Sequence, residues 1–290
     1  MRRSLTLMFI LGATCTFAEH SPAMPGARVE TYKTVGDVQL KLWVFSPKEH
    51  QSTNRCAAIV FFFGGGWVNG TPQQFESQCR HLASRGMVAI TADYRVKSRQ
   101  GAMPVQCVAD AKSAIRWVRT NAERLGIDPN RIAAAGGSAG GHIAACTGTI
   151  AEFDEPGEDK SVSSVPNAMV LFNPALVLAP LAGRDFGGFG TKVPAVLLGA
   201  EPARISPAHN VKPGVPPTII FHGRADTTVP FATAEAFTEA MKAAGNRCEL
   251  VGFEGQQHGF FNDRPGNRYY ADTVQRMDEF LTSLGYCPAR

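Results

Sequence analysis

No apolar run in this 290-residue chain approaches the roughly 20 residues that a bilayer-spanning helix needs, and mean hydropathy is only −0.09. A polytopic membrane protein is thereby excluded. Lysine and arginine (29) barely exceed aspartate and glutamate (25), and they gather into no basic block. Nucleic acid, which calls for a concentrated positive stripe, is therefore not an expected partner. No Cys-x-x-Cys, H-E-x-x-H or G-x-x-x-x-G-K occurs, and no G-x-G-x-x-G follows a strand-like segment, so the sequence implies no metal and no cofactor. Internal repeats and low-complexity tracts are absent too. What is present suits a packed interior: hydrophobic residues make up 44% and charged residues 19%.

The N-terminus resembles an export signal. Arg2-Arg3 precedes the short apolar stretch Leu5 to Ala13, and Thr16-Phe17-Ala18 places small residues at −3 and −1 of a cut. Residues 1–18 are thus expected to direct secretion or periplasmic export and be removed. Gly12-Ala13-Thr14 before Cys15 does not make a lipid-attachment signal. Six cysteines would remain, and six allow 15 full pairings. Cys146 reads as a buried free thiol, whereas Cys248, opening a strand, and Cys287, after the last helix, are the pair expected to form a disulfide.

Strand-like and helix-like segments alternate, as in an α/β domain with a mostly parallel sheet covered on both faces. Strands are expected at Val38 to Phe45, Ala57 to Phe63, Met87 to Ala92, Arg131 to Ala135, Ala168 to Phe172, Thr218 to Phe221 and Glu249 to Phe253. Helices are expected at Gln73 to Ser84, Val105 to Leu125, Phe231 to Ala244 and Tyr269 to Leu284, with a turn at Gly126-Ile127-Asp128-Pro129. Residues 175–217, rich in Gly and Pro, interrupt the alternation and read as a loop-rich, lid-like insertion.

Chemistry enters at Gly136-Gly137-Ser138-Ala139-Gly140, a G-x-S-x-G placed between a strand and a helix. In that setting the motif makes a tight turn that lifts the serine hydroxyl clear of the sheet. A serine at its ordinary pKa needs a base, and the base needs an orienting acid. Both follow, each just after its own strand: Asp226 in His222-Gly223-Arg224-Ala225-Asp226, and His258 in Gln256-Gln257-His258-Gly259. The order Ser, Asp, His is the one this architecture uses. Gly64-Gly65-Gly66-Trp67 follows the strand ending at Phe63, and the backbone of Gly65 and Gly66, with Ala139, is expected to stabilise an oxyanion. Trp67 offers a flat apolar wall to substrate, with plain packing beneath the loop as the equal alternative.

Other polar residues carry less. His142 reads as a packed or substrate-side histidine, His222 as an aid to ordering the acid loop, and His209 as a surface or substrate contact. The acidic run Glu152, Asp154, Glu155, Glu158 and Asp159 is expected to be a solvated loop.

These residues carry a resemblance. Gly64-Gly65-Gly66-Trp67, Asp93-Tyr94-Arg95, Gly136 to Gly141, His222 to Asp226 and Gln257-His258-Gly259 resemble the α/β-hydrolase carboxylesterases. The nearest likeness is to the bacterial feruloyl-esterase-like and acetyl-xylan-esterase-like members, and a more distant one is to hormone-sensitive-lipase-type esterases. The resemblance implies one α/β-hydrolase domain over residues 19–290, with the lid-like insertion at 175–217. It further implies a cofactor-independent serine esterase acting on short acyl groups, acetyl or related esters of carbohydrates. Relatives often carry histidine before the glycine triplet; Phe63 stands there, so the bond that braces the loop must come from elsewhere. A prolyl-oligopeptidase-like peptidase and a non-catalytic binding protein are the alternatives, the first weakened because nothing before Val38 could supply a propeller.

Overall fold

The computed structural model describes residues 22–187 and 193–289; the expected export signal, residues 1–18, lies outside them. Eight strands, β1 (Arg28–Val35), β2 (Val38–Phe45), β3 (Cys56–Phe62), β4 (Val88–Ala92), β5 (Ile127–Gly137), β6 (Ala168–Phe172), β7 (Thr218–Gly223) and β8 (Cys248–Phe253), form one sheet in the order β1-β2-β4-β3-β5-β6-β7-β8. β1 and β2 are antiparallel to each other, as are β2 and β4; every other neighbour is parallel. This is the α/β-hydrolase architecture expected from the motifs.

Side chains alternate across the strands, so the sheet divides the interior in two. Ala58, Val60 and Phe62 of β3 face one core, shared with α3 (Pro104–Thr120), α4 (Ala139–Thr149) and α6 (Phe231–Ala243). Ala57, Ile59 and Phe61 face the other, against α1 (Glu76–Ser84) and α7 (Arg268–Ser283), while the short α2 (Lys97–Gln100) follows β4. That division corrects the expected disulfide. Cys248 belongs to the first core, where its thiol lies 3.8 Å from the Thr238 hydroxyl; Cys287 belongs to the second, and all six described cysteines are free. The sheet stands between them.

The acidic run also differs from expectation, because most of it is paired with cations from distant segments. Glu155 bonds Lys33 at 2.6 Å and Arg95 at 2.7 Å, Asp154 bonds Lys112 and Arg116, and Glu158 bonds Arg116. Asp110, fully buried on α3, completes the network with Lys33 and Arg95. Burial on this scale is tolerable only because each charge has partners. Helix α3 ends at Thr120, before the expected Leu125, and β5 already begins at Ile127. A register shift between Cys56 and Ala58 lets β5 bulge around Pro129, which cannot donate to a ladder.

The described residues of the insertion hold little regular structure, namely short α5 (Ala195–Leu198) and 3-10 turns at Pro202–Ile205 and Pro207–Asn210. Its two ends are fastened down rather than free. Ala175 to Leu178, Ile205 and Ala208 are buried in the first core. Among the described residues no helix is long and apolar enough to cross a membrane, and no group of His, Cys, Asp and Glu could hold a metal ion.

Candidate active site

β5 delivers the chain to Ser138, whose backbone takes φ 54° and ψ −119°. This is the strained turn that exposes a nucleophile. Its N–H donates to Phe172 O at 2.8 Å, and its carbonyl accepts the His142 N–H at 2.9 Å, so the strain is held from both sides. A Cβ at Gly140 would lie 2.0 Å from Phe62 O, which is why the helix after Ser138 can pack so close to β3. Ala139 is the first residue of α4, so its N–H has no intrahelical acceptor and the helix N-terminus faces the serine side.

The loops after β7 and β8 bring the other two residues in. His258 Nε2 is 2.9 Å from Ser138 Oγ, and His258 Nδ1 is 2.7 Å from Asp226 Oδ2. Ser138 and His258 are half-buried, whereas Asp226 is buried at 6% exposure. Burial by itself would raise the Asp226 pKa. Bonds from His222, His258 and the Val229 N–H outweigh it and hold the carboxyl well below the ordinary range. Asp226 is therefore ionised at any working pH, and it orients His258 with Nδ1 protonated and Nε2 free to accept the serine proton.

Gly65 and Gly66 lie beside this line in the loop after β3, with φ of 128° and 63°. Among the described residues, the N–H groups of Gly65, Gly66 and Ala139 meet no acceptor. The missing histidine brace has a substitute that the sequence did not reveal. Gln74 accepts the Gly64 N–H at 2.6 Å and donates to Asn262 Oδ1 at 2.9 Å, while Asn262 Nδ2 donates to Gly259 O. Thus one carboxamide joins the glycine loop to the loop of His258. Tyr94 adds a second tie, its hydroxyl donating to Phe63 O at 2.7 Å.

Trp67 is only 3% exposed and is packed in the first core, with Nε1–H donating to His142 Nδ1 at 3.2 Å. It still contributes to the wall of a cavity of about 310 Å³, together with Gly66, Val68, Met103, Pro104, Val196 and Leu197. His142 is fully buried, and its Nε2–H donates to Ile205 O. Burial pushes its pKa down to about 4, against a smaller upward pull from that carbonyl. It is thus a packed histidine that ties the glycine loop to the insertion. His209 bonds Ser206 Oγ and Pro180 O within the insertion.

The arrangement is complete for acyl transfer: a nucleophile, a base with a fixed tautomer and donors for an oxyanion. Comparison with known proteins points the same way. Esterase LipC of Mycobacterium tuberculosis is 29% identical over 236 residues, 78% of this chain and 58% of that protein. Isoprenylcysteine alpha-carbonyl methylesterase ICME of Arabidopsis thaliana is 31% identical over 69% of this chain and 49% of its own length. The chain thus spans about half the length of the curated relatives it matches. Among solved structures, esterase 2 of Thermogutta terrifontis is 52% identical, covering 93% of this chain and 98% of that one, with a TM-score of 0.87 in its propionate-bound form. The same esterase is also known butyrate-bound and phosphorylated by paraoxon. The family model BD-FAE matches residues 42–241. The chain belongs to the BD-FAE family.

Proposed function

We propose that this protein is a serine carboxylic-ester hydrolase that works through an acyl-enzyme on Ser138. The observation that carries the reading is the continuous line Ser138 Oγ, His258 Nε2, His258 Nδ1, Asp226 Oδ2, with contacts of 2.9 and 2.7 Å, set beside unpartnered N–H groups. As Ser138 Oγ attacks the ester carbonyl carbon, its proton passes to His258 Nε2. The carbonyl oxygen becomes an oxyanion and takes bonds from Gly65, Gly66 and Ala139. Collapse breaks the carbon–oxygen bond, and His258 returns the proton to the departing alcohol. Water then attacks the acyl-serine with His258 as base and releases the acid.

The acyl groups are short, acetyl first. The propionate- and butyrate-bound forms of the 52%-identical esterase support this, as does the lack, among the described residues of the insertion, of a long helix to build a lipid lid. For the alcohol, the motif resemblance supports a carbohydrate, whereas the apolar cavity at Gly66 favours an alkyl or aryl group. Residues 1–18 are proposed to direct export, with the mature chain beginning at Glu19. Kinetics on esters from acetate to palmitate, beside acetylated xylo-oligosaccharides, test the substrate. kcat/KM peaks at two to four carbons, and a maximum at eight or more overturns the acyl half. Sugar acetates outpacing aryl acetates would decide for the carbohydrate. Ser138→Ala and His258→Ala each lose about 10⁶-fold in kcat, and Asp226→Asn somewhat less. Retention of a few per cent of activity by Ser138→Ala overturns the nucleophile.

A further inference from the structure

A second histidine reaches the acid from behind. His222, on β7 four residues before Asp226, is fully buried, with Nε2 3.3 Å from Asp226 Oδ2 and 2.8 Å from Val229 O. Both neighbours are acceptors, so Nε2 carries a proton directed between them. Nδ1 is buried and meets no partner among the described residues. Val229 closes a ring: its carbonyl accepts from His222 while its N–H donates to Asp226 Oδ1 at 2.9 Å, beside the N–H of Thr228 at the same distance. The Asp226 carboxylate therefore takes four donors. Two backbone N–H groups hold Oδ1, and two imidazoles, His258 and His222, share Oδ2.

We propose that His222 is a positioning residue, fixing the rotation of the Asp226 carboxylate and drawing charge from the oxygen that His258 uses. The proposal rests on the esterase reading above. A carboxylate bonded only through Oδ1 and one imidazole can turn about its χ2, carrying the His258 ring off the line to Ser138. Displacements of this size, about 1 Å, cost on the order of 100-fold in rate. No substrate atom reaches a fully buried ring, so the effect falls on kcat and leaves KM. Beyond Asp226, Arg224 and Glu254 pair with each other at 2.7 Å on the exposed side, and the Phe231 ring contacts both Arg224 and His222. They do not substitute for it.

The test compares His222→Phe, His222→Gln and His222→Asn, each counted by titration with a fluorophosphonate. Glutamine brings an amide donor close to the position of Nε2, whereas asparagine reaches only that of Nδ1. His222→Phe and His222→Asn lose about tenfold or more in kcat with KM unchanged. His222→Gln recovers most of the rate. The downfield proton resonance of the His258–Asp226 bond shifts in the first two and is kept in the third, a readout that needs no substrate. Equal kcat per titrated site in all four proteins, with that resonance unmoved, overturns the proposal. If His222→Phe fails to fold, the Gln and Asn pair decides. A wild-type protein without ester turnover would instead refute the esterase reading, while the resonance still judges His222.

Discussion

His142 and His258 show how surroundings assign opposite work to the same side chain. His258 stands half-buried between an acid and a hydroxyl. His142, sealed in the core, is pushed by burial to about 4 from its ordinary 6.5. Because the folded value is the lower one, the unfolded chain takes up the proton first as pH falls. The stability His142 contributes is complete above about pH 6.5 and drains away towards pH 4. His142→Gln, which keeps a donor for Ile205 and an acceptor for Trp67, flattens that part of the Tm-against-pH curve; a slope as steep as wild type refutes the assignment. The triad was legible because each residue sits in a short motif at a strand end. The partners of Glu155 were not, since Lys33 and Arg95 lie far away in sequence and only the fold joins them.

Loops, not strands, set the spacing of the site, and two contacts govern how they meet. Gly223 ends β7 where a Cβ would lie 2.2 Å from Gln256 O, so the acid loop and the base loop touch through a missing side chain. Gln74, on the 3-10 turn Pro72–Phe75, does the same for the glycine loop by a hydrogen bond rather than by contact. Gln74→Ala frees the Gly64 N–H and unties Asn262, and kcat falls about 10- to 100-fold with the fold intact. Near-native kcat in a protein of native Tm would show that the loop braces itself. Nothing in the sequence marked Gln74, which belongs to no motif and becomes visible only when Asn262, 188 residues on, lies beside it. β1 escaped notice for a different reason. As an edge strand it exposes Arg28 and Val29, so it lacks the apolar alternation that announces β2.

The molecule as a whole is held without covalent cross-links among its described cysteines, each of which is free. A thiol reductant therefore leaves Tm unchanged, and the denatured, unreduced protein yields all six of these thiols to a titrant; a shortfall of two would restore a disulfide. Stability rests instead on a sheet whose centre is the site's own scaffold. Ser138 follows β5, Asp226 follows β7 and His258 follows β8, the last strand, which among the described residues pairs only with β7. The nucleophile and its base are 120 residues apart. During synthesis the chain that carries Ser138 is made well before the strand that carries its base to it. Every contact of the triad is long-range, and such contacts close late. A nascent or truncated chain lacking β8 thus holds Ser138 without His258 beside it, and the line from Ser138 to Asp226 is completed only with the closing edge of the sheet. On the esterase reading proposed above, that timing keeps the site silent until folding ends.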